Sequence, residues 1–268
     1  MEAQQMKIIA KNLIEKLFWV GVFGLAMGFL EAIVVVYLRD IYYPGGFGFP
    51  MSPVSPQMYF VELVREVATV LMLLALGFLV GKNRIQKAAY FLISFAAWDI
   101  VYYIALKLFL DWPSSLLAWD VLFLIPLPWL GPVLAPVIVS LTMIWFGASL
   151  LMLEEANGSV FLKTEEWLLL LLGTCLIFAS FVWNYSALIV RGGYLSKILT
   201  LSQNQEFLKT VYTYTPEKFN WVMFGTGELF IFSSMVSILN RYWQAVQYTG
   251  KEILTQIHNI QQQIFHSH

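Results

Sequence analysis

Leu17–Leu38 reads LFWVGVFGLAMGFLEAIVVVYL, 22 residues that are apolar except for one acid, Glu31. A helix of ~20 apolar residues, rising ~1.5 Å per residue, crosses the hydrocarbon core of a bilayer. Lys7, Lys11 and Lys16 precede the stretch, as in the positive start of a secretory signal. A cleaved signal has a shorter apolar run and a small-residue cleavage site after it, so Leu17–Leu38 reads as a retained span.

The same reading extends along the chain. Tyr59–Val80, Ala88–Leu110, Trp167–Val190 and Phe219–Leu239 are each long and apolar enough to span. Trp119–Leu153 is different, being apolar over 35 residues with Pro126, Pro128, Pro132 and Pro136 around Gly131. Proline removes a backbone donor and clashes with the preceding helical turn. Trp119–Trp129 is therefore expected as a short re-entrant or interfacial piece, and Gly131–Leu153 as the fourth span. Thr215-Pro216 is expected to open the last span as an N-cap followed by proline. The fold class is all-α: a polytopic integral membrane helical bundle of about six transmembrane helices with a Pro-broken fourth segment. Residues 1–240 form that domain. Residues 241–268 form an amphipathic cytoplasmic tail, with Ile253, Ile257, Ile260 and Ile264 recurring at helical spacing. Met6, Ile9 and Leu13 make a similar face at the start of the chain.

Composition excludes several classes. Of 268 residues, 59% are hydrophobic and 12% charged, too little charge to cover a water-soluble globule. The net charge of −1 leaves no basic excess for phosphates, so no nucleic acid is expected as a partner. Cys175 is the one cysteine, and His258, His266 and His268 all lie in the tail. The spans thus offer no histidine pair for haem and no thiolate set for zinc or iron–sulfur. No metal or other cofactor is expected.

Lys and Arg in short loops set orientation. Lys82, Arg84 and Lys87 crowd one loop, while Arg39–Met58 holds a single positive residue. The expected arrangement is N-in and C-in, in a cell inner (cytoplasmic) membrane. Of the outer loops, Tyr42–Pro56 (YYPGGFGFPMSPVSP) is turn-rich and aromatic, and Gly192–Thr215 is expected to hold a short amphipathic helix. Glu154, Glu155, Glu165 and Glu166 read as inner-loop acids, and the inner half of the bundle as nearly free of charge.

An ionised side chain in hydrocarbon costs ~2.5–3.5 kcal/mol on insertion scales, so such residues carry a partner or line a wet cavity. The candidates are Glu31, Glu62, Arg65, Glu66, Asp99, Tyr102, Tyr103, Asp120, Asn184 and Glu228. Under the N-in topology all lie at or above the midplane, which predicts one polar cavity beneath the outer face. Glu62, Glu66 and Thr69 share a helix face, with Arg65 beside it. Tyr102 and Tyr103 follow Asp99 by three and four residues, within reach of its carboxylate. Gly24 and Gly28 form a GxxxG step before Glu31, which lets another helix approach closely. Gly225-x-x-Glu228 echoes Gly28-x-x-Glu31.

The acids point to proton- or cation-coupled transport of a small or amphiphilic substrate. The alternatives are a non-catalytic subunit of a membrane complex, with Arg65 merely neutralising Glu62 or Glu66, and an outer-leaflet lipid-modifying enzyme using carboxylates. No nucleophile stands out and no catalytic residue is assigned. The partners expected are membrane lipids and, through the tail, a second copy or another membrane-complex subunit.

Overall fold

A computed structural model describes residues 2–125, 127–195, 204–242 and 254–255. Among the described residues, seven helices and one hairpin follow in order: α1 (Glu2–Tyr42), α2 (Pro56–Val80), α3 (Arg84–Leu110), β1 (Trp119–Phe123), β2 (Trp129–Pro132), α4 (Leu134–Asn157), α5 (Thr164–Arg191), α6 (Gln205–Val211) and α7 (Trp221–Arg241). All but the short α6 are long and apolar enough to cross a membrane. The chain is a multi-pass helical membrane protein. Its outward faces carry large bare side chains such as Leu79 and Val222, 84% and 82% exposed, as a lipid-facing surface requires. The side chains of residues 1–10 and nearly all of the 241–268 tail lie outside the described residues, and with them the tail's amphipathic face and, except for the buried Leu13, the N-terminal one.

Polar caps set the helix starts. Ser55 Oγ accepts from Met58 N, with Pro56 at the first helical position of α2. Asn83 accepts from Gln86 N at the start of α3. The last span is opened by Asn220, which accepts from Met223 N at 3.1 Å, and not by Thr215-Pro216. Asn competes better than Thr for this role, and the residues between Pro216 and Asn220 are not helical. The α6 helix provides the expected short helix in the loop before α7.

The proline-rich segment forms an antiparallel hairpin, with Trp119 opposite Pro132 and Asp120 opposite Gly131. Pro132 ends β2, and Pro136 sits in the first turn of α4, where a missing N–H costs nothing. The fourth span accordingly starts at Leu134 and not Gly131. Leu124, just past β1, reaches Glu66, ten residues (~15 Å) along α2 from its start. The hairpin thus dips into the bundle, its strands satisfying each other's backbone groups where water is scarce. The end of the bundle that it enters is called here the hairpin face.

Glycines bring helices together. A Cβ on Gly24 would lie 2.7 Å from Ala97 Cβ, and one on Gly28 2.7 Å from the Trp98 carbonyl, so α1 packs backbone to backbone on α3. A Cβ on Gly173 would lie 2.7 Å from the Gly227 carbonyl, which closes α5 onto α7. The structure departs from the sequence echo before Glu228: Gly225 faces open space and Gly227 makes the contact.

The rim opposite the hairpin is not free of buried charge. Glu166 is 1% exposed and pairs with Arg241 at 2.6 Å, while also accepting from Ser237 Oγ and Lys163 N. Glu154, also buried, accepts from Val160 N and from Asn83. These acids belong to the last turn of α4 and the first turn of α5, where free backbone N–H groups and a helix N-terminus receive them.

Candidate functional site

The residues that gather at the hairpin face start from α1 and α2. Arg65 forms ion pairs with Glu31 of α1 and with Glu62 one turn back on its own helix, the latter at 2.8 Å. Its Nε also donates to Glu62 at 2.9 Å. Thr69 Oγ1 donates to the second oxygen of Glu31 at 3.2 Å. Arg65, placed by its helix position beside the acidic face, is in fact the hub joining two helices. Glu66, one residue on, turns toward the hairpin. Both its carboxylate oxygens accept from Leu124 N at 3.0 Å.

A second centre joins α1 to the hairpin. Arg39, near the end of α1, is 6% exposed and donates to Asp120 Oδ1 of β1 at 3.2 Å. Its guanidinium lies between two rings, 4.2 Å from the centroid of Phe47 and 3.8 Å from that of Trp112. Burial pushes the Asp120 carboxyl up to about 6, although Arg39, the Val121 N–H and the Tyr103 hydroxyl all pull it down. The Tyr103 hydroxyl is close enough to act on Asp120, yet Asp120 Oδ2 closes no hydrogen bond of normal geometry. Arg39 Nη1 is likewise buried without a partner.

Asp99 of α3 accepts from Ser140 Oγ of α4 at 2.8 Å. The expected bonds from Tyr102 and Tyr103 to Asp99 are replaced by this contact across helices. Tyr103 faces Asp120 instead. Tyr102 sits between the centres, within electrostatic reach of Asp120, Arg39, Arg65 and Asp99. Glu31, Glu62, Arg65, Glu66, Asp99, Tyr102, Tyr103 and Asp120 therefore form one neighbourhood.

Two candidates stand apart. Glu228 of α7 accepts from Thr142 Oγ1 of α4 at 2.8 Å, and its other oxygen is buried and unpaired. Asn184 of α5 accepts from Tyr214 Oη and donates to the Lys218 carbonyl. One pocket lies on the outer face of α2 against Phe60, Val64 and Val67. The other lies at the hairpin rim, against Phe47, Trp112, Trp119 and Thr215. None of the acids lines either.

Sequence reasoning missed Arg39, Ser140 and Thr142. From the sequence Arg39 reads as a loop charge, although its place one turn inside the end of an apolar helix is a signal. Ser140 and Thr142 carry no signal, since single hydroxyls are common in spans. Among the described residues, no group of three or more His, Cys, Asp or Glu is placed to hold a metal.

The charge balance is uneven. Arg65 is shared by Glu31 and Glu62, and Arg39 serves Asp120. Glu66 and Asp99 are hydrogen-bonded by neutral donors, a backbone N–H and a hydroxyl. Such a layer can hold extra protons or a cation, or act as a fixed polar joint between helices. No protein family, curated protein or solved structure gives a match to the chain.

Proposed function

We propose that the carboxylate layer binds protons or a cation and couples that binding to transport of a small or amphiphilic substrate. The hairpin face is then the outer side of a cell inner membrane, with both termini inside. The observation that carries the reading is the surplus of acid: Glu66 and Asp99 lie within the bundle with both nearby arginines already engaged. Carboxylates in such surroundings take up a proton or cation when the alternative is an uncompensated charge.

Purified protein in liposomes on a solid-supported membrane tests this without knowledge of the substrate. A proton or sodium concentration jump should produce a transient current. Asp99→Asn and Glu66→Gln, made separately, should each reduce it about tenfold or more. Currents unchanged in both variants would remove these acids from any coupling role.

A second reading is favoured by the closed packing of the Arg65 and Arg39 ion pairs: a non-catalytic subunit of a membrane complex. Its layer is a joint, and the 241–268 tail docks a partner or a second copy. Folded wild-type protein that gives no current under any cation jump supports this reading over transport.

A further inference from the structure

The rim opposite the hairpin carries cations that no carboxylate holds. Lys11 and Lys16 of α1, Lys82 in the connection after α2, and Arg84 and Lys87 of α3 lie on this side of the molecule. Among the described residues none of them forms an ion pair. Lys16 Nζ donates instead to the Val80 carbonyl at 3.3 Å and stands 5.9 Å from the centroid of the Tyr90 ring. Lys87 Nζ lies 4.8 Å from the centroid of the Phe78 ring. An ammonium has three donors, so a carbonyl or a ring face leaves it both charge and hydrogen-bonding capacity.

The acids nearby do not cancel this charge. Glu154 is buried and turned to Val160 N and Asn83. Glu155 is half-buried within electrostatic reach of Lys82 and Lys16, and Glu15 is exposed on α1. Five cations against these three acids leave a surplus. On the α5 side of the rim Glu166 takes Arg241, and Glu165 stands near Lys163 in sequence, so the surplus belongs to α1, α2 and α3. The platform beneath it is fixed. Gly81 N donates to the Gly77 carbonyl at 3.0 Å, Lys82 N to Gln86 Oε1 at 3.0 Å, and Asn83 caps α3.

The rim also marks a level. Val80 is the last residue of α2, so Lys16 stands where an apolar span ends. Within one turn toward the bundle centre lie the exposed Phe18 and Trp19 of α1 and the exposed Phe78 and Leu79 of α2. α1 and α2 each pack chiefly on α3 and meet each other little, which leaves the seam between them facing lipid. Surplus cations directly above bare apolar side chains match a phospholipid, whose phosphate sits directly above its acyl chains.

We propose that this rim is a binding site for an anionic phospholipid, its phosphodiester seated on Lys16, Lys82 and Lys87 and its chains lying along the ends of α1 and α2. A zwitterionic lipid brings a cation of its own and gains less from the same lysines. The site rests on the multi-pass fold and not on the transport reading.

Quenching by brominated lipids tests it on the full chain. In a Cys175→Ser background, a bimane fluorophore is attached at Leu79→Cys beside the site, or at Val222→Cys near the start of α7. Vesicles of phosphatidylcholine carry a minor share of brominated phosphatidylglycerol or the same share of brominated phosphatidylcholine. At Leu79→Cys the anionic lipid should quench about fivefold more effectively than the zwitterionic one, and at Val222→Cys about equally. Lys16→Gln with Lys82→Gln should bring the ratio at Leu79→Cys close to one, whereas Lys16→Arg with Lys82→Arg should keep it. Raising salt from about 0.02 to 0.5 M should shrink the ratio without any change to the rim. A ratio near one, an equal ratio at both labels, or a ratio insensitive to salt or to the folded Gln pair overturns the site. If the Gln pair does not fold, salt and the two label positions decide on the native rim. No ion flux is measured, so this site and the transport reading fail separately.

Discussion

Arg39 and Asp120 show what a charged pair does where solvent is scarce. Removing Arg39 leaves a buried carboxylate without its cation and empties the slot between Phe47 and Trp112. A broken buried pair of this kind costs ~3–5 kcal/mol. Arg39→Ala should therefore lower stability in mixed-micelle unfolding by about that amount. Arg39→Ala with Asp120→Asn should lose clearly less than the sum of the single changes, as coupled partners do. Strict additivity would show that the pair contributes nothing as a pair. The pH dependence has a definite sign. Asp120 moves from the ordinary 3.8 up to about 6 on folding, so the folded protein holds that proton more tightly. The resulting stabilisation is complete below pH 3.8 and is lost as pH rises through about 6. Wild-type stability relative to Asp120→Asn should fall across that window by at most about 3 kcal/mol. A flat difference between the two proteins would contradict the burial of this carboxyl. Asp120 could be singled out from sequence, because an acid at the start of a long apolar run is conspicuous. Its partner could not, because Arg39 reads as a loop charge until Phe47 and Trp112 are seen to enclose it.

Among the elements, the glycine contacts separate what spacing reveals from what it hides. Gly24 and Gly28 on one face of α1 forecast a close approach, and α3 fills it. In α7 the same reasoning chose Gly225, two residues from the glycine that makes the contact. Positions two apart on a helix lie about 200° apart around its axis, so choosing the wrong glycine chooses the wrong face. Substitution measures the difference. Gly28→Ala puts a methyl 2.7 Å from the Trp98 carbonyl and 2.8 Å from Val101 Cβ. It should cost ~1–3 kcal/mol in the unfolding assay, as overpacking does. Gly225→Ala meets nothing within 4 Å and should be neutral or slightly stabilising. Equal effects would mean that the α1–α3 contact is looser than the geometry shows. The proline run between α3 and α4 forecast a break at membrane depth, but not a hairpin. Its Trp, Val, Leu and Phe residues suit a buried helix and a strand alike, and what surrounds the segment decides between them.

For the molecule as a whole, orientation turns on the cations that stay free of buried pairs. Arg39 is enclosed in its ion pair and cannot act as a free loop charge, so the loop between α1 and α2 presents no cation at all apart from it. The loop between α2 and α3, with Lys82 before Arg84 and Lys87 in the first turn of α3, keeps its positive charge at the opposite rim. Lys163 adds to that rim at the start of α5. Arg241 at that rim is engaged by Glu166 as Arg39 is by Asp120, so one cation drops out at each end, and the expected orientation with the hairpin face outside rests on the crowding of Lys82, Arg84 and Lys87. Single cysteines in a Cys175→Ser background test the placement. Gly45 meets nothing within 4 Å, and Ser159 is exposed in the short connection between α4 and α5. A membrane-impermeant maleimide on intact spheroplasts should label Gly45→Cys readily and Ser159→Cys only after permeabilisation. The reverse pattern would put the acid layer and its hairpin on the cytoplasmic side. Any protons it bound would then come from the interior, and the direction of the proposed coupling would invert with it.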